Sequence, residues 1–308
     1  MTAAFDPAAV ATLAESHDVV VVPPRTDGVS LAERGLGLDG VQVAVVELDR
    51  IDERALAAAP GLELVVACRA APENVDLDAC AAAGVEVVTT PGRNAEVTAD
   101  FAFALILDTV RHVSASQRWL RAGEWAASDV FESYARFRGV GLAGRRIGIV
   151  GGGAVGRRVA RRALGFGMEV VVFDPGLEPG ALGPDIRLAP LRDVLSTSHI
   201  VTLHVPLTSA TAGMIGRSEL ALLRPDAYFV NAARAGLVDR DALLDVLRDG
   251  RIAGAGLDVF HREPLAPDDE LLTFENVTLT PHIGGASDDV VVVHSRLAAA
   301  AIQEWAAR

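Results

Sequence analysis

An arginine, a glutamate and a histidine arrive in that order in the second half of this 308-residue chain, each inside its own short motif. They are Arg234 in NAARAGLVD, Glu263 in LDVFHREP and His282 in TPHIGG. A guanidinium binds a carboxylate through two parallel hydrogen bonds. An imidazole moves a proton near neutral pH, and a neighbouring carboxylate fixes its tautomer. These are the groups that interconversion of a 2-oxo acid and a 2-hydroxy acid requires, with Arg234 on the substrate and Glu263 holding His282. Arg234 ends the apolar run AYFVNAA, where an anion would stabilise it; an ion pair with Asp239 is the structural alternative. Gly284 and Gly285 follow His282 closely and imply a tight backbone that projects the imidazole outward.

A glycine-rich loop precedes all three. In GIVGGGAVG, Gly151, Gly153 and Gly156 satisfy GxGxxG, with an apolar strand before them and a helical pattern after. The first glycine permits the turn, the second lets backbone approach a pyrophosphate, and the third lets helix and strand pack closely. The pyrophosphate would rest on N–H groups at the helix start, near Ala154 and Val155. Asp174 closes the next strand, where it would accept bonds from ribose hydroxyls and repel a 2′-phosphate, so NAD is expected over NADP. The run LHVPLTSAT places His204, Val205, Pro206 and Thr211 at another strand end, either facing the cofactor or closing the strand. Asp258, in AGLDVF, is expected to bind the nicotinamide carboxamide, with a structural cap as the alternative. Ala232 and Ala233 beside Arg234, and Gly284 beside His282, complete the cofactor-facing set.

The elements that must position these groups are legible as apolar runs alternating with amphipathic stretches, the pattern of parallel sheets covered by helices. Four strands are expected in the first hundred residues, near Val19, Val43, Val65 and Val87. A long helix begins at NAEVTADFAFALILDTV. Its apolar residues cover most of the circumference, so it is expected to pack on its own sheet and on a second body, a dimer partner or another domain. GEWAASDVFESYARFRGVGLAG has no clear period and reads as an extended arm. From Arg146, six strand-like runs fit a doubly wound dinucleotide-binding sheet. The final stretch from Ala286 reads as a helix returning to the first domain. The expected division is therefore a substrate domain, 1–97 with 287–308, and a nucleotide domain, 98–286.

Composition narrows the chemistry. A net charge of -13 argues against a nucleic-acid surface. Lysine is absent, which removes Schiff-base catalysis, a P-loop lysine and a Tyr-Lys catalytic pair. Cys68 and Cys80 are too few for a disulfide framework or a four-cysteine zinc site, and no metal is expected. The first residues lack a basic segment followed by an apolar run, and nothing approaches a membrane span, so a cytoplasmic protein is expected.

With these motifs in hand, the chain resembles the NAD-dependent D-isomer-specific 2-hydroxy acid dehydrogenases over nearly its whole length. GIVGGGAVG with FDP, HVPLT with Thr211 and Ile215, NAAR with VD, AGLDVF with EP, and TPHIGG carry the resemblance. It implies catalytic roles for Arg234, Glu263 and His282, NAD contacts at Asp174 and Asp258, and a nucleotide domain inserted into a smaller flavodoxin-like substrate domain. A homodimer built on the nucleotide domains is also implied. CRAAPENVDLDACAAAGVEVVTTPGRNAEVTAD is similar to the phosphoglycerate dehydrogenase branch, and the regulatory C-terminal domains of some members are expected to be lacking. The resemblance places the substrate carboxylate on Ala70, Ala71 and Pro72, with Arg93 and Asn94 nearby; Arg69 or Arg93 would meet a phosphate. Two departures stand out: Ala70 and Ala71 replace glycines of the substrate loop, and Ala235 replaces the glycine after Arg234. Alanine is harmless at either place if φ is negative. Apart from 3-phosphoglycerate dehydrogenase, the alternative is a non-catalytic NAD(H)-sensing protein of the same fold.

Overall fold

The computed structural model describes residues 1–25 and 27–308. The chain divides into two compact units, Met1–Asn94 with Ala286–Arg308, and Ala95–Gly285. Among the described residues, no helix is long and apolar enough to cross a membrane.

The first unit runs α1 (Pro7–Ala14), β1 (Val43–Val46), α2 (Glu53–Ala58), β2 (Leu64–Ala67), α3 (Leu77–Ala82) and β3 (Glu86–Thr89), and is completed by the C-terminal helix Asp288–Ala306. The three strands are parallel in the order β1-β2-β3. Asp52 and Asp76 cap α2 and α3, each accepting a hydrogen bond from the backbone of the first turn. Apolar side chains cover both faces of the sheet: α2 and α3 with Val46 and Val65 on one, the C-terminal helix with Val45 and Val66 on the other. The strand expected near Val19 does not form. Val22 N–H bonds to Met1 O, and Thr2 N–H to Val45 O, so the segment follows the sheet edge without a ladder of its own. Pro23 and Pro24 come next and supply no donors to extend it.

The second unit carries α4 (Ala95–Arg111), α5 (Val113–Arg121), α6 (Glu132–Arg136), β4 (Arg146–Val150), α7 (Gly156–Gly165), β5 (Glu169–Phe173), β6 (Ile186–Leu188), α8 (Leu191–Thr197), β7 (Ile200–Leu203), α9 (Arg217–Leu220), β8 (Tyr228–Asn231), α10 (Arg240–Arg248), β9 (Gly254–Leu257) and β10 (Val277–Leu279). Its seven strands form one sheet in the order β10-β9-β8-β7-β4-β5-β6, every pair parallel. The seventh strand, β6, is not among the six expected runs. It is a three-residue edge interrupted by the exposed Arg187, and so gives no apolar signal. β7 to β9 are buried at every position, which is why they read as continuous apolar or small-residue runs rather than alternating ones. Alternate side chains feed two cores. Ile147, Ile149, Tyr228 and Val230 meet α4 and α7 on one face; Val150, Val201, Leu203 and Phe229 meet α10 on the other.

Two further expectations change. The second body packed against α4 is α7 of the same unit: Ala99, Phe103 and Ile106 share a core with Val159, Ala160 and Ala163. The breadth of its apolar surface therefore requires neither a dimer partner nor another domain. The arm is only partly extended, since it contains the 3-10 turn Glu124–Ala127 and α6. Both are too short for a helical period to show in the sequence.

Candidate active site

The chain leaves β4 for β5 and β6 on one side, then crosses to β7 on the other, so the carboxyl end of β4 is the switch point of the sheet. The glycine loop lies there. Gly151 has φ +100, and a Cβ on it would stand 2.6 Å from His204 O. A Cβ on Gly156 would stand 1.8 Å from Gly151 O, so helix α7 can start against the strand only because no side chain intervenes. At Gly153 the same test meets nothing within 4 Å: this glycine faces open space rather than protein. The first i→i−4 bond runs from Arg157 N–H to Gly153 O, which leaves the N–H groups of Ala154 and Val155 outside the helical ladder. Asp174 sits beside this loop, with Oδ2 accepting from Gly152 N–H at 2.8 Å and Oδ1 from Gly176 N–H at 2.9 Å. Close backbone, free N–H groups at a helix start and an acid at the next strand end fit a dinucleotide.

β8, β9 and β10 are neighbours in the sheet, and the three reactive motifs follow these three strands. His282 Nδ1 lies 2.7 Å from Glu263 Oε2. Glu263 Oε1 accepts from Phe260 N–H at 2.9 Å, so both carboxylate oxygens are committed. Burial opposes ionisation of Glu263. The hydrogen bonds from His282 and Phe260, with the charges of His282 and Arg234, outweigh it and hold the carboxyl below its ordinary value. An ionised Glu263 makes Nδ1 the protonated nitrogen, and Nε2 is left to meet a substrate oxygen. Arg234 is exposed and makes no ion pair among the described residues; the alternative pairing with Asp239 does not form. Among the same residues, its only side-chain hydrogen bond is from Nη1 to Ala233 O, at 2.7 Å, so the guanidinium retains most of its donors.

Residues beyond those singled out in the sequence hold this geometry. Asn231, 2% exposed at the end of β8, accepts from Ala233 N–H at 3.0 Å and donates from Nδ2 to Arg234 O at 2.9 Å. It clamps the turn from which Arg234 projects. A buried amide closing an apolar strand is a signal the sequence did contain. Asp258 accepts from Thr280 Oγ1 at 2.7 Å, Ile283 N–H at 2.9 Å and Gly284 N–H at 2.8 Å. A Cβ on Gly284 would meet Asp258 Oδ2 at 3.0 Å and Phe101 Cδ1 at 3.3 Å, so this glycine serves close packing. His282 itself has φ 54, a conformation uncommon outside glycine.

In the loop after β7, His204 Nε2 bonds Thr202 Oγ1 at 3.0 Å, and burial pushes the imidazole down to about 4, so it is neutral. Thr211 holds the loop by donating to Pro206 O at 2.6 Å and accepting from Thr208 N–H at 2.8 Å. Val205 packs over Gly151, while Ala232 and Ala233 form the start of the Arg234 turn.

The remaining expected residues belong to the first unit. Ala70, Ala71 and Pro72 follow β2 at its carboxyl end, in a turn closed by Glu73 N–H to Ala71 O and Val75 N–H to Pro72 O. Ala70, Ala71 and Ala235 all have negative φ, so replacing glycine strains none of them. Arg93 is not free: it pairs with Glu47 at 2.8 Å and donates to His294 Nδ1 at 2.9 Å. Asn94 forms no side-chain hydrogen bond among the described residues and stands directly before α4.

Known proteins bear on this geometry. The family model described as "D-isomer specific 2-hydroxyacid dehydrogenase, NAD binding domain" matches residues 103–284. The chain belongs to this family. Glyoxylate reductase of Thermococcus litoralis is 38% identical over 270 residues, covering 87% of this chain and 79% of that one. The crystal structure of the TT0316 protein from Thermus thermophilus superposes with a TM-score of 0.81 at 32% identity, covering 96% of this chain and 92% of the other. An NADPH-dependent glyoxylate/hydroxypyruvate reductase from Sinorhizobium meliloti, solved with NADP and malonate, gives a TM-score of 0.74 at 29% identity over 98% and 91% of the two chains. This D-2-hydroxy acid dehydrogenase is thus an oxidoreductase with NAD as its cofactor, built on the parallel α/β architecture described above.

Proposed function

We propose that this dehydrogenase interconverts a small, unphosphorylated 2-oxo acid and its D-2-hydroxy acid, with NADH preferred to NADPH. The 2.7 Å bond between His282 and Glu263, made beyond β10 and β9 at the same sheet end as the turn after β8 that carries Arg234, is the observation that carries the reading. NADH, when bound, supplies hydride to C2 of the oxo acid. Protonated His282 gives its Nε2 proton to the substrate oxygen in the reducing direction and takes it back in the oxidising one. Glu263 keeps the imidazole in the tautomer that makes this possible. Arg234, with most of its donors unspent, binds the substrate carboxylate or the reacting oxygen.

The glycines Gly151, Gly153 and Gly156, with Ala154 and Val155, would hold the pyrophosphate, and Asp174 the adenosine ribose. The strand ends bearing His204–Pro206, Thr211, Ala232, Ala233 and Gly284 would flank the rest of the cofactor. Asp174 supports NADH because a carboxylate at that strand end repels a 2′-phosphate. Engagement of Arg93 by Glu47 and His294 supports an unphosphorylated substrate over 3-phosphoglycerate, since of the two arginines that could meet a phosphate it leaves Arg69 alone without an ion pair among the described residues. The glyoxylate reductase names among the relatives point the same way. A homodimer is also proposed, with the exposed apolar side chains of the segment between α5 and β4 at its interface.

The test is NADH oxidation against glyoxylate, hydroxypyruvate, 3-phosphohydroxypyruvate and oxo acids with bulkier apolar groups. Turnover of an unphosphorylated member, lost in Arg234→Ala, is expected. Preference for the phosphorylated substrate would overturn the substrate class. Silence across the panel with NADH still bound would favour a nucleotide-sensing protein.

A further inference from the structure

Glu263 is carried by a stretch of chain that the fold itself does little to hold. His261, Arg262, Glu263 and Pro264 are exposed one after another. Among the described residues, no backbone–backbone hydrogen bond involves residues 261–265. Below the loop, packing gives way to a cavity of about 370 Å³, lined by Leu243 and Leu244 of α10, Leu257 at the end of β9, Val238, and Phe260 and Leu271 of the loop. The loop is therefore anchored in the core at its ends, through Phe260 and Leu271, and not along the part that bears the carboxylate. A segment with few buried contacts and no main-chain bonds opens easily unless its side chains hold it.

Apart from Glu263, one side chain of this stretch makes a hydrogen bond among the described residues: His261, whose Nε2 lies 3.0 Å from Val238 O. A carbonyl oxygen only accepts, so Nε2 is the protonated nitrogen and the donor. Val238 is a firm anchor. It is buried, it pairs with Ile215 in a parallel bridge, and its N–H closes onto Ala235 O at 3.0 Å. The 3-10 turn so closed, Ala235–Leu237, begins at the residue after Arg234.

We propose that His261 is a positioning residue that ties the Glu263 stretch to the Arg234 turn. One hydrogen bond then sets the loop that carries the carboxylate against the turn that carries the guanidinium. Without it, Glu263 would be held only by Phe260 N–H, within the same loop, and by His282, the very ring it has to orient. The inference rests on the reading of Glu263 and His282 as the acid/base pair. The competing reading, a surface histidine whose bond serves the loop alone, predicts no effect on His282.

The test compares His261→Leu and His261→Gln with the parent. Leucine removes the donor, whereas the amide of glutamine can reach the same oxygen. Three readouts are taken: the ¹⁵N imidazole spectrum of histidine-labelled protein, with the His282 signal assigned by its loss in His282→Ala; the NADH dissociation constant by fluorescence; and kcat and KM for glyoxylate. His261→Leu is expected to lower the fraction of His282 protonated at Nδ1. Its kcat should fall on the order of 10-fold with NADH affinity within about 3-fold, as slight misplacement near a reacting group produces. His261→Gln is expected to keep kcat within about 2-fold of the parent, since an amide N–H donates as an imidazole N–H does. An unchanged His282 signal in His261→Leu would overturn the proposal, and so would a His261→Gln protein as impaired as His261→Leu. If the parent fails to reduce glyoxylate, the substrate reading fails while the spectrum still decides the role of His261. A kcat that survives His282→Ala would remove the acid/base reading, and this proposal with it. Circular dichroism on each variant confirms the fold, which an exposed side chain is not expected to disturb.

Discussion

His282 is restrained from two directions, by Glu263 at its ring and by Asp258 at its backbone, and neither group occupies Nε2. A side chain held so firmly with one nitrogen left over suits proton transfer better than structural support. His282→Ala is therefore expected to lower kcat by about 100- to 10,000-fold, the usual contribution of a positioned acid/base. NADH affinity should stay within a few-fold, because the proposed pyrophosphate cradle lies beyond β7, at the end of β4. Stopped-flow turnover and fluorescence titration on the same preparation separate the two effects. A large loss of NADH binding in this variant would contradict the division of labour between the two strand ends.

The β4-loop-α7 element makes a sharper distinction among its own glycines. Gly156 is required by the fold, since a methyl there would overlap Gly151 O at 1.8 Å, a backbone atom that cannot move aside cheaply. Gly153 has no neighbour within 4 Å of an added Cβ and a φ that alanine accepts. Gly156→Ala is expected to lower the melting temperature severely or prevent folding. Gly153→Ala should leave the melting temperature unchanged yet weaken NADH binding at least 10-fold, because the methyl would project where the pyrophosphate must approach. Calorimetry with and without NADH checks both. A Gly153→Ala protein that binds NADH normally would show that the dinucleotide does not use this loop as proposed.

For the molecule as a whole, what internal packing leaves unexplained is the segment between α5 and β4. Phe131 is 71% exposed and Tyr134 77%, with Val130 at 59% and Trp125 at 43%. Apolar side chains gathered on one exposed segment mark an interaction surface more often than chance exposure does. α4 gives no such signal, because α7 already covers it. The protein is expected to be a dimer by light scattering after size exclusion. Phe131→Glu combined with Tyr134→Glu is expected to yield a folded monomer with an unchanged circular dichroism spectrum. A parent that runs as a monomer at micromolar concentration would remove the homodimer proposal.

The glycine loop, the three reactive motifs and the parallel α/β class are legible in the sequence because each depends on residues a few positions apart. A turn needs its glycines in place, a buried strand needs a run of apolar residues, and neither requires knowledge of distant partners. The segment near Val19 and the edge strand Ile186–Leu188 depart from expectation for the converse reason. Whether a short segment becomes a strand is decided by the partner beside it, and at a sheet edge that partner is present on one side only. The same limit applies to the site. Nothing local states that Glu263 and His282 meet, or that Arg234 stands near them; the parallel order β8-β9-β10 brings their three strand ends together. Nor does the sequence show that Arg93 is spent on Glu47 and His294, or that Asp258 turns towards the His282 backbone. Residue order alone specifies which reactive groups the chain carries and the local form of the loops that bear them. Which of those groups face one another is settled by the assembled fold, since side-chain pairing depends on long-range strand order and burial, not on spacing along the chain.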